Sequence, residues 1–279
     1  MKRVLCRCAT YCLRYLTARH AVVSIAAVDE IIEALRAQQR ELDDLLSGLD
    51  DAQWRLQSRC AGWSVADVVL HLAQTDEFAL ASADGRLGEL APFVDATAES
   101  DVDVAAAHAV EQQRGSDPAA LHRRWRDSAE ALSTRLAECE PGQRLPWVAG
   151  ELSARTLATT RLSETWIHTG NIASALDVDL PDTDRLWHIA RLAWRTIPYA
   201  FRRAGRPAPG PVALDLHAPD GSTWSFGDLS GEGEPAVIVR GPAVEFCLVA
   251  ARRVDSARTS LSAEGADGAA VLELVRTYA

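Results

Sequence analysis

The apolar positions of this chain follow two periods, helical up to about residue 203 and alternating beyond residue 212. From Val28 to Leu49 they fall at Val28, Ile31, Ile32, Leu35, Leu42, Leu45, Leu46 and Leu49, with acidic residues between them. Side chains three and four apart share one helix face, so this spacing predicts an amphipathic helix. Ser64 precedes the next such run and Asp67 follows three positions later, an approximate capping box with Asp in place of the usual Glu. A helix is predicted from about Val65 to Ala81, stopped by Gly85, Gly88 and Pro92. Val102 to Gln113 and Pro118 to Glu138 read as a third helical stretch, interrupted near Gly115-Ser116-Asp117-Pro118. Pro141-Gly142 and Leu145-Pro146-Trp147 mark a loop, and Ser153 can cap a helix that runs to about Leu176. Asp184 to Arg203 forms a further amphipathic helix, which Pro198 should end or kink.

Past the Pro- and Gly-rich stretch 205–211 the texture changes. Val212 to His217 alternates, Pro219-Asp220-Gly221-Ser222 is a turn, and Thr223 to Phe226 alternates again, which predicts a hairpin. Ala236 to Val239 reads as a third strand, followed by helices from Gly241-Pro242 to about Arg252 and from Ala269 to Tyr278. The expected fold is mainly α with α+β: an up-and-down four-helix bundle over residues 27–204 and a small α+β domain over 205–279. Residues 1–26 read as an atypical N-terminal extension.

Composition narrows the function classes. Of 279 residues, 48% are hydrophobic and 24% charged, the balance of an ordinary globular protein. A net charge of −10 argues against a nucleic-acid partner, and acidic neighbours dilute the local pairs Arg123-Arg124 and Arg202-Arg203. No apolar run is long enough to span a bilayer. Arg7, Arg14 and Arg19 interrupt the apolar core that a secretory signal would need, so a cytoplasmic location is expected. Cys60, Cys139 and Cys247 are isolated and read as thiols of a reducing compartment. Cys6, Cys8 and Cys12 cluster, but no matching second cluster follows to complete a metal site.

The candidate chemistry lies in two helical stretches. His71 sits in the apolar run Val68-Val69-Leu70-His71-Leu72, and Glu164 and His168 stand four residues apart far downstream. Positions i and i+4 lie roughly 40° apart around a helix axis, so the later two can point at one atom. Two imidazoles and a carboxylate with room for water form the ligand set of a catalytic zinc rather than a closed structural one. Glu164 lies among Leu162, Trp166 and Ile167, where an uncompensated carboxylate is costly. Taken singly, His71 is equally a core histidine and the later pair a surface ion pair. The residues alone leave both readings open.

The segment Gly62-Trp63-Ser64 through His71 and the segment Ser163-Glu164-Thr165-Trp166-Ile167-His168 resemble the two metal-binding signatures of the mycothiol-dependent maleylpyruvate isomerase family. That family belongs to the DinB-like four-helix metalloproteins. Gly241-Pro242-Ala243-Val244-Glu245-Phe246 is similar to a strand-to-helix junction in the family's smaller C-terminal domain. The resemblance covers about residues 28 to 279. It implies a DinB-like bundle in which His71, Glu164 and His168 hold a divalent metal, Zn2+ in most members, with mycothiol as the thiol cosubstrate. The implied activity is a thiol-dependent transferase or isomerase acting on a small electrophilic substrate, with a metal-bound thiolate as nucleophile. Trp63, Trp147 and Arg155 are candidates to wall the thiol pocket, Arg155 meeting a carboxylate of the thiol, although either tryptophan serves equally as packing. Asn171 reads as support for the site or as plain surface.

The ligand motif specifies a metal better than a reaction. Arg202, Arg203, Arg206 and Arg240 lie near the domain junction, and nothing singles out one of them to recognise a dicarboxylate. Two alternatives stay open: a zinc-dependent hydrolase using metal-activated water, for which no general base is evident, and a non-catalytic metal-binding bundle.

Overall fold

A computed structural model describes residues 30–87, 102–140, 142–147, 150–228 and 234–277. The extension 1–26, the Cys6-Cys8-Cys12 cluster and the breakers Gly88 and Pro92 lie outside the described residues. Helix α1 spans 30–47 and buries Ile31, Ile32, Leu35, Leu42 and Leu46. One further turn, α2 (Asp51–Trp54), is set by a capping box between Asp50 and Gln53 and buries Trp54. Helix α3 (Val65–Ala83) starts at the predicted box: Ser64 Oγ accepts from the Asp67 amide, and the Asp67 carboxylate accepts from the Ser64 amide.

The third helical stretch is two helices, α4 (Val102–Gln113) and α5 (Pro118–Ala137). Gly115 between them takes a φ of 90°, which side-chain-bearing residues rarely adopt. Asp117 then caps α5, and Pro118 sits in the first turn, where a missing N–H costs nothing. Two short strands, β1 (Arg144–Leu145) and β2 (Leu152–Ser153), pair antiparallel in a stretch whose first part reads as loop. Ser153 caps α6 (Ala154–Ala175) by accepting from the Thr156 amide.

Helix α7 (Leu186–Arg203) matches the predicted extent to within two residues and carries Pro198 inside it, so of the two effects expected of the proline, ending the helix does not occur. An interior proline costs about 3 kcal/mol. Ile197, Ala200 and Phe201 are all buried around it, and each large apolar side chain so buried contributes about 1.5–3 kcal/mol. Tertiary burial outweighs the lost hydrogen bond.

Helices α1, α3, α5 and α6 form the bundle. Gln38 Nε2 on α1 donates to Thr169 Oγ1 on α6, and Gln39 Nε2 donates to the Ala129 carbonyl on α5. Beyond the bundle stands a four-stranded sheet of order β4-β3-β5-β6, built from β3 (Val212–His217), β4 (Thr223–Phe226), β5 (Val237–Pro242) and β6 (Ser262–Glu264). The predicted hairpin pairs Leu214 with Phe226 and Leu216 with Trp224, while β5 runs parallel to β3. Strand β6 carries no apolar alternation and escaped prediction. Gly265 ends it with a φ of 104°, packed so closely that a Cβ would lie 2.0 Å from the Ala236 carbonyl oxygen. Helices α8 (Ala243–Ala250) and α9 (Gly268–Leu274) cover the sheet, each ending short of the predicted bounds.

One buried apolar cluster runs from Leu35, Leu132 and Leu162 in the bundle through Ile189 and Phe201 on α7 to Leu214, Val239 and Phe246. Residues 205–211 therefore mark a change of local structure without a break in the core. Trp194 Nε1 on α7 donates to the Val212 carbonyl, and Thr196 Oγ1 donates to the Arg276 carbonyl. A second cluster, including Leu46, Trp54, Val69, Trp125 and Ile172, fills the other end of the bundle. Among the described residues no helix is long and apolar enough to cross a membrane.

Candidate metal centre

Capping fixes where α3 starts, and from there His71 falls on the buried face turned toward α6. On α6, Glu164 and His168 stack one turn apart as their spacing requires. His71 Nε2 lies 3.8 Å from Glu164 Oε2, and His168 Nε2 lies 3.5 Å from the same oxygen. One donor atom from each of the three lies within 4.8 Å of the others, and the two imidazole centroids are 4.9 Å apart. A tetrahedral zinc with bonds near 2.0–2.1 Å sets its donors about 3.4 Å apart, so small side-chain movements would close the trio around such an ion.

The protonation of the cluster suits a cation. Burial lowers the His168 pKa to about 4, against the opposing pull of Glu164, and so keeps the imidazole neutral. Burial would raise Glu164, but the facing nitrogens of His168 and His71 outweigh it and hold the carboxyl well below the usual range. Neutral imidazole beside ionised carboxylate is the state in which these groups ligate metal.

A second polar cluster lies one turn away on the same two helices. Arg161 Nε donates to Asp76 Oδ1 at 2.9 Å, with both side chains almost fully buried. Arg161 Nη2 donates to Thr75 Oγ1, which donates in turn to the His71 carbonyl. Burial pushes the Asp76 carboxyl up against the opposing pull of Arg161, and Asp76 Oδ2 is buried without a partner. The sequence signal for this pair was faint: an arginine and an aspartate inside otherwise apolar runs.

The loop from Gln57 to Ser64 covers the trio. Gln57 Nε2 donates to the carbonyls of Ser58, Cys60 and Trp63, and Ser58 Oγ accepts from the Cys60 amide and donates to the Trp63 carbonyl. The loop sets Trp63 against His71, ring centroids 5.1 Å apart, and Cys60 Sγ 3.9 Å from His168 Nδ1. Burial raises the Cys60 thiol, partly offset by the positive charge of Arg253. Asn171 Nδ2 lies 3.1 Å from Cys60 Sγ and 3.3 Å from His168 Nδ1. In the sequence Cys60 is an isolated thiol, because nothing local links it to a histidine 108 positions away.

A cavity of about 380 Å³ adjoins the trio at Asn171, between α6, the loop 177–183 and α8. Trp166, Arg59, Arg185 and Arg253 line it, and the Nε atoms of Arg185 and Arg253 are buried without partners. None of the junction arginines Arg202, Arg203, Arg206 and Arg240 does so; Arg202 stacks on Tyr199, Arg206 on Phe201, and Arg240 pairs with Glu264. Of the proposed pocket residues, Trp63 stands at the trio. Trp147 packs edge-on against Phe78 at 5.2 Å, away from that cavity. Arg155 precedes Glu164 by nine positions, about two and a half helix turns and so the opposite face of α6. It lies near His188 and Arg191; burial first, then these two arginine charges, lowers the His188 pKa to about 4.

Fold and geometry together define a four-helix bundle with a candidate two-histidine, one-carboxylate centre, followed by a small α+β unit. The family described as Mycothiol maleylpyruvate isomerase N-terminal domain matches residues 35–173. Proteins from two strains of Mycobacterium tuberculosis, CDC 1551 / Oshkosh and ATCC 25618 / H37Rv, both described as uncharacterized, are each 33% identical over 248 residues. The match covers 88% of this chain and 93% of each relative. The crystal structure of the mycothiol-dependent maleylpyruvate isomerase superposes with a TM-score of 0.54 at 18% identity, covering 86% of this chain and 93% of that one. A mutant of that isomerase superposes with a TM-score of 0.56 at 19% identity, covering 84% and 92%. The chain belongs to the mycothiol-dependent maleylpyruvate isomerase family.

Proposed function

We propose that this protein is a metal- and mycothiol-dependent isomerase or transferase acting on a small electrophile. In this reading the bundle, residues 27–204, supplies the metal site, and the domain from 205 to 279 closes the substrate cleft. The observation that carries it is the convergence of His71, Glu164 and His168 within 4.8 Å of one another, beside a cavity lined by Asn171, Trp166 and Arg253. These three side chains would hold the divalent cation, Zn2+ by preference for this donor set. When bound, such a cation supplies Lewis acidity and keeps a thiol ionised at neutral pH, its nucleophilic form.

The chain's own residues do the rest. Trp63 shields one face of the site, and Trp166 offers an apolar wall to the substrate. Arg253 and Arg59 present cationic groups to the carboxylates of thiol or electrophile, and the Arg253 Nε without a partner is a ready donor. Attack of the thiol sulfur on an activated alkene forms a C–S bond and leaves a single C–C bond free to rotate. Expulsion of the sulfur from that adduct completes an isomerisation and regenerates the thiol; retention of the C–S bond with protonation at carbon is transfer. Hydrolysis is less well served, because Asp76, a carboxylate beside the trio, is paired with Arg161 and closed off from solvent.

The test uses the full-length chain with zinc. Mycothiol should raise the melting temperature of the zinc-loaded protein and leave that of the chelator-treated protein unchanged. A shift of equal size in both forms, or in neither, refutes the proposed role of the thiol. Turnover of maleylpyruvate and of related unsaturated diacids then separates isomerase from transferase.

A further inference from the structure

Building on the metal reading above, we propose that Asn171 is the positioning residue that holds His168 in its metal-binding tautomer, with Cys60 fixing the Asn171 amide. A histidine that ligates through Nε2 carries its proton on Nδ1, and that N–H needs an acceptor if the ring is not to turn. His168 divides its two nitrogens in this way: Nε2 faces Glu164 at 3.5 Å, while Nδ1 faces Asn171 at 3.3 Å and Cys60 at 3.9 Å. Asn171 is 1% exposed and His168 6%, so water is a poor substitute for this partner. Asn171 stands three residues after His168 on the same helix, and α6 itself therefore sets the reach between them.

The amide end matters. With Nδ2 turned inward, Asn171 donates to Cys60 Sγ and faces a ring nitrogen that must then be unprotonated. Half a turn about the last side-chain bond exchanges N and O while leaving every other heavy atom in place. The amide oxygen then accepts the Nδ1 proton of His168 and the S–H of Cys60 together. A thiol serves as weak donor or weak acceptor, so Cys60 supports either orientation, and the Ser58 hydroxyl anchors its backbone. Metal at Nε2 selects the second orientation. Loading of the site and the direction of the Asn171 amide are thereby coupled.

The experiment titrates the full chain and its variants with Zn2+ against a chromophoric chelator and records the visible spectrum of the Co2+-substituted forms. Asn171→Leu removes the acceptor and should weaken Zn2+ binding about 10–100-fold and alter the Co2+ spectrum. Asn171→Asp keeps the acceptor and should bind within a few-fold of the native chain with a native spectrum. Should Asn171→Leu fail to fold, Asn171→Ala is read in the same way. Native affinity and spectrum in the leucine or alanine variant overturn the inference, as does an aspartate variant that loses as much affinity as either. If the native chain gives no Co2+ spectrum at all, the metal reading itself falls and this inference with it; a native chain that binds normally beside an unaffected Asn171→Leu sinks the Asn171 role alone.

Discussion

Two polar clusters interrupt the apolar interface between α3 and α6, one turn apart, and they are complete to different degrees. The Arg161–Asp76 pair contains both signs of charge, meets at 2.9 Å and draws on Thr75 for a further hydrogen bond. The His71–Glu164–His168 trio turns three lone-pair donors toward one point, with no cationic side chain between them. A buried charge without compensation is costly, so the first cluster is finished by the chain, while the second keeps the donor set that could take an ion from outside. The contrast teaches where to look for chemistry: at the cluster whose charges the fold leaves unbalanced.

The largest expected effect breaks the unfinished cluster. His71→Ala and His168→Ala should each abolish stoichiometric zinc by elemental analysis while the far-ultraviolet dichroism stays helical. Full occupancy in either would dissolve the distinction between the two clusters. Next is the finished cluster, where Asp76→Ala leaves Arg161 buried and alone and should cost about 3–5 kcal/mol in urea denaturation. The paired change Asp76→Leu with Arg161→Met should recover much of that loss, since no charge is then stranded. A cost below about 1 kcal/mol for the single change would show that the pair is solvated after all.

A smaller effect comes from pH. His188 has a folded pKa near 4 against an ordinary value of 6.5, so the unfolded chain takes up the proton first as pH falls. The resulting stability is complete above pH 6.5 and lost on descent toward pH 4. The urea midpoint of metal-free protein should fall across that window, and His188→Gln should flatten the slope; an unchanged slope would relocate the titration to other groups. The smallest effect tests the placement of α3. Ser64→Ala removes its cap and should cost about 1 kcal/mol, with zinc affinity reduced only slightly.

Legibility followed distance along the chain. The Ser64–Asp67 box, the Gly115 break, the Ser153 cap and the β3–β4 hairpin each depend on residues within a few positions, where spacing and dihedral preference act directly. The pairing of Glu164 with His168 belongs to this group, because a helix brings i and i+4 together wherever it forms. Strand β6 was invisible for the opposite reason, since its pairing with β5 rests on a close approach of Gly265 to Ala236 across the fold. Pro198 leaves the helix unbroken because the burial of Phe201 against distant residues outweighs the local rule.

The amino-acid order by itself determined the helices, their caps, and a carboxylate and an imidazole on one face of α6. Only the tertiary structure decided that His71 would face them, that Cys60 and Asn171 would stand behind His168, and that Arg253 rather than a junction arginine would reach the cavity. The physical reason is that local hydrogen bonds and periodic burial act over a few residues. The approach of groups some hundred residues apart is settled by how whole apolar faces pack.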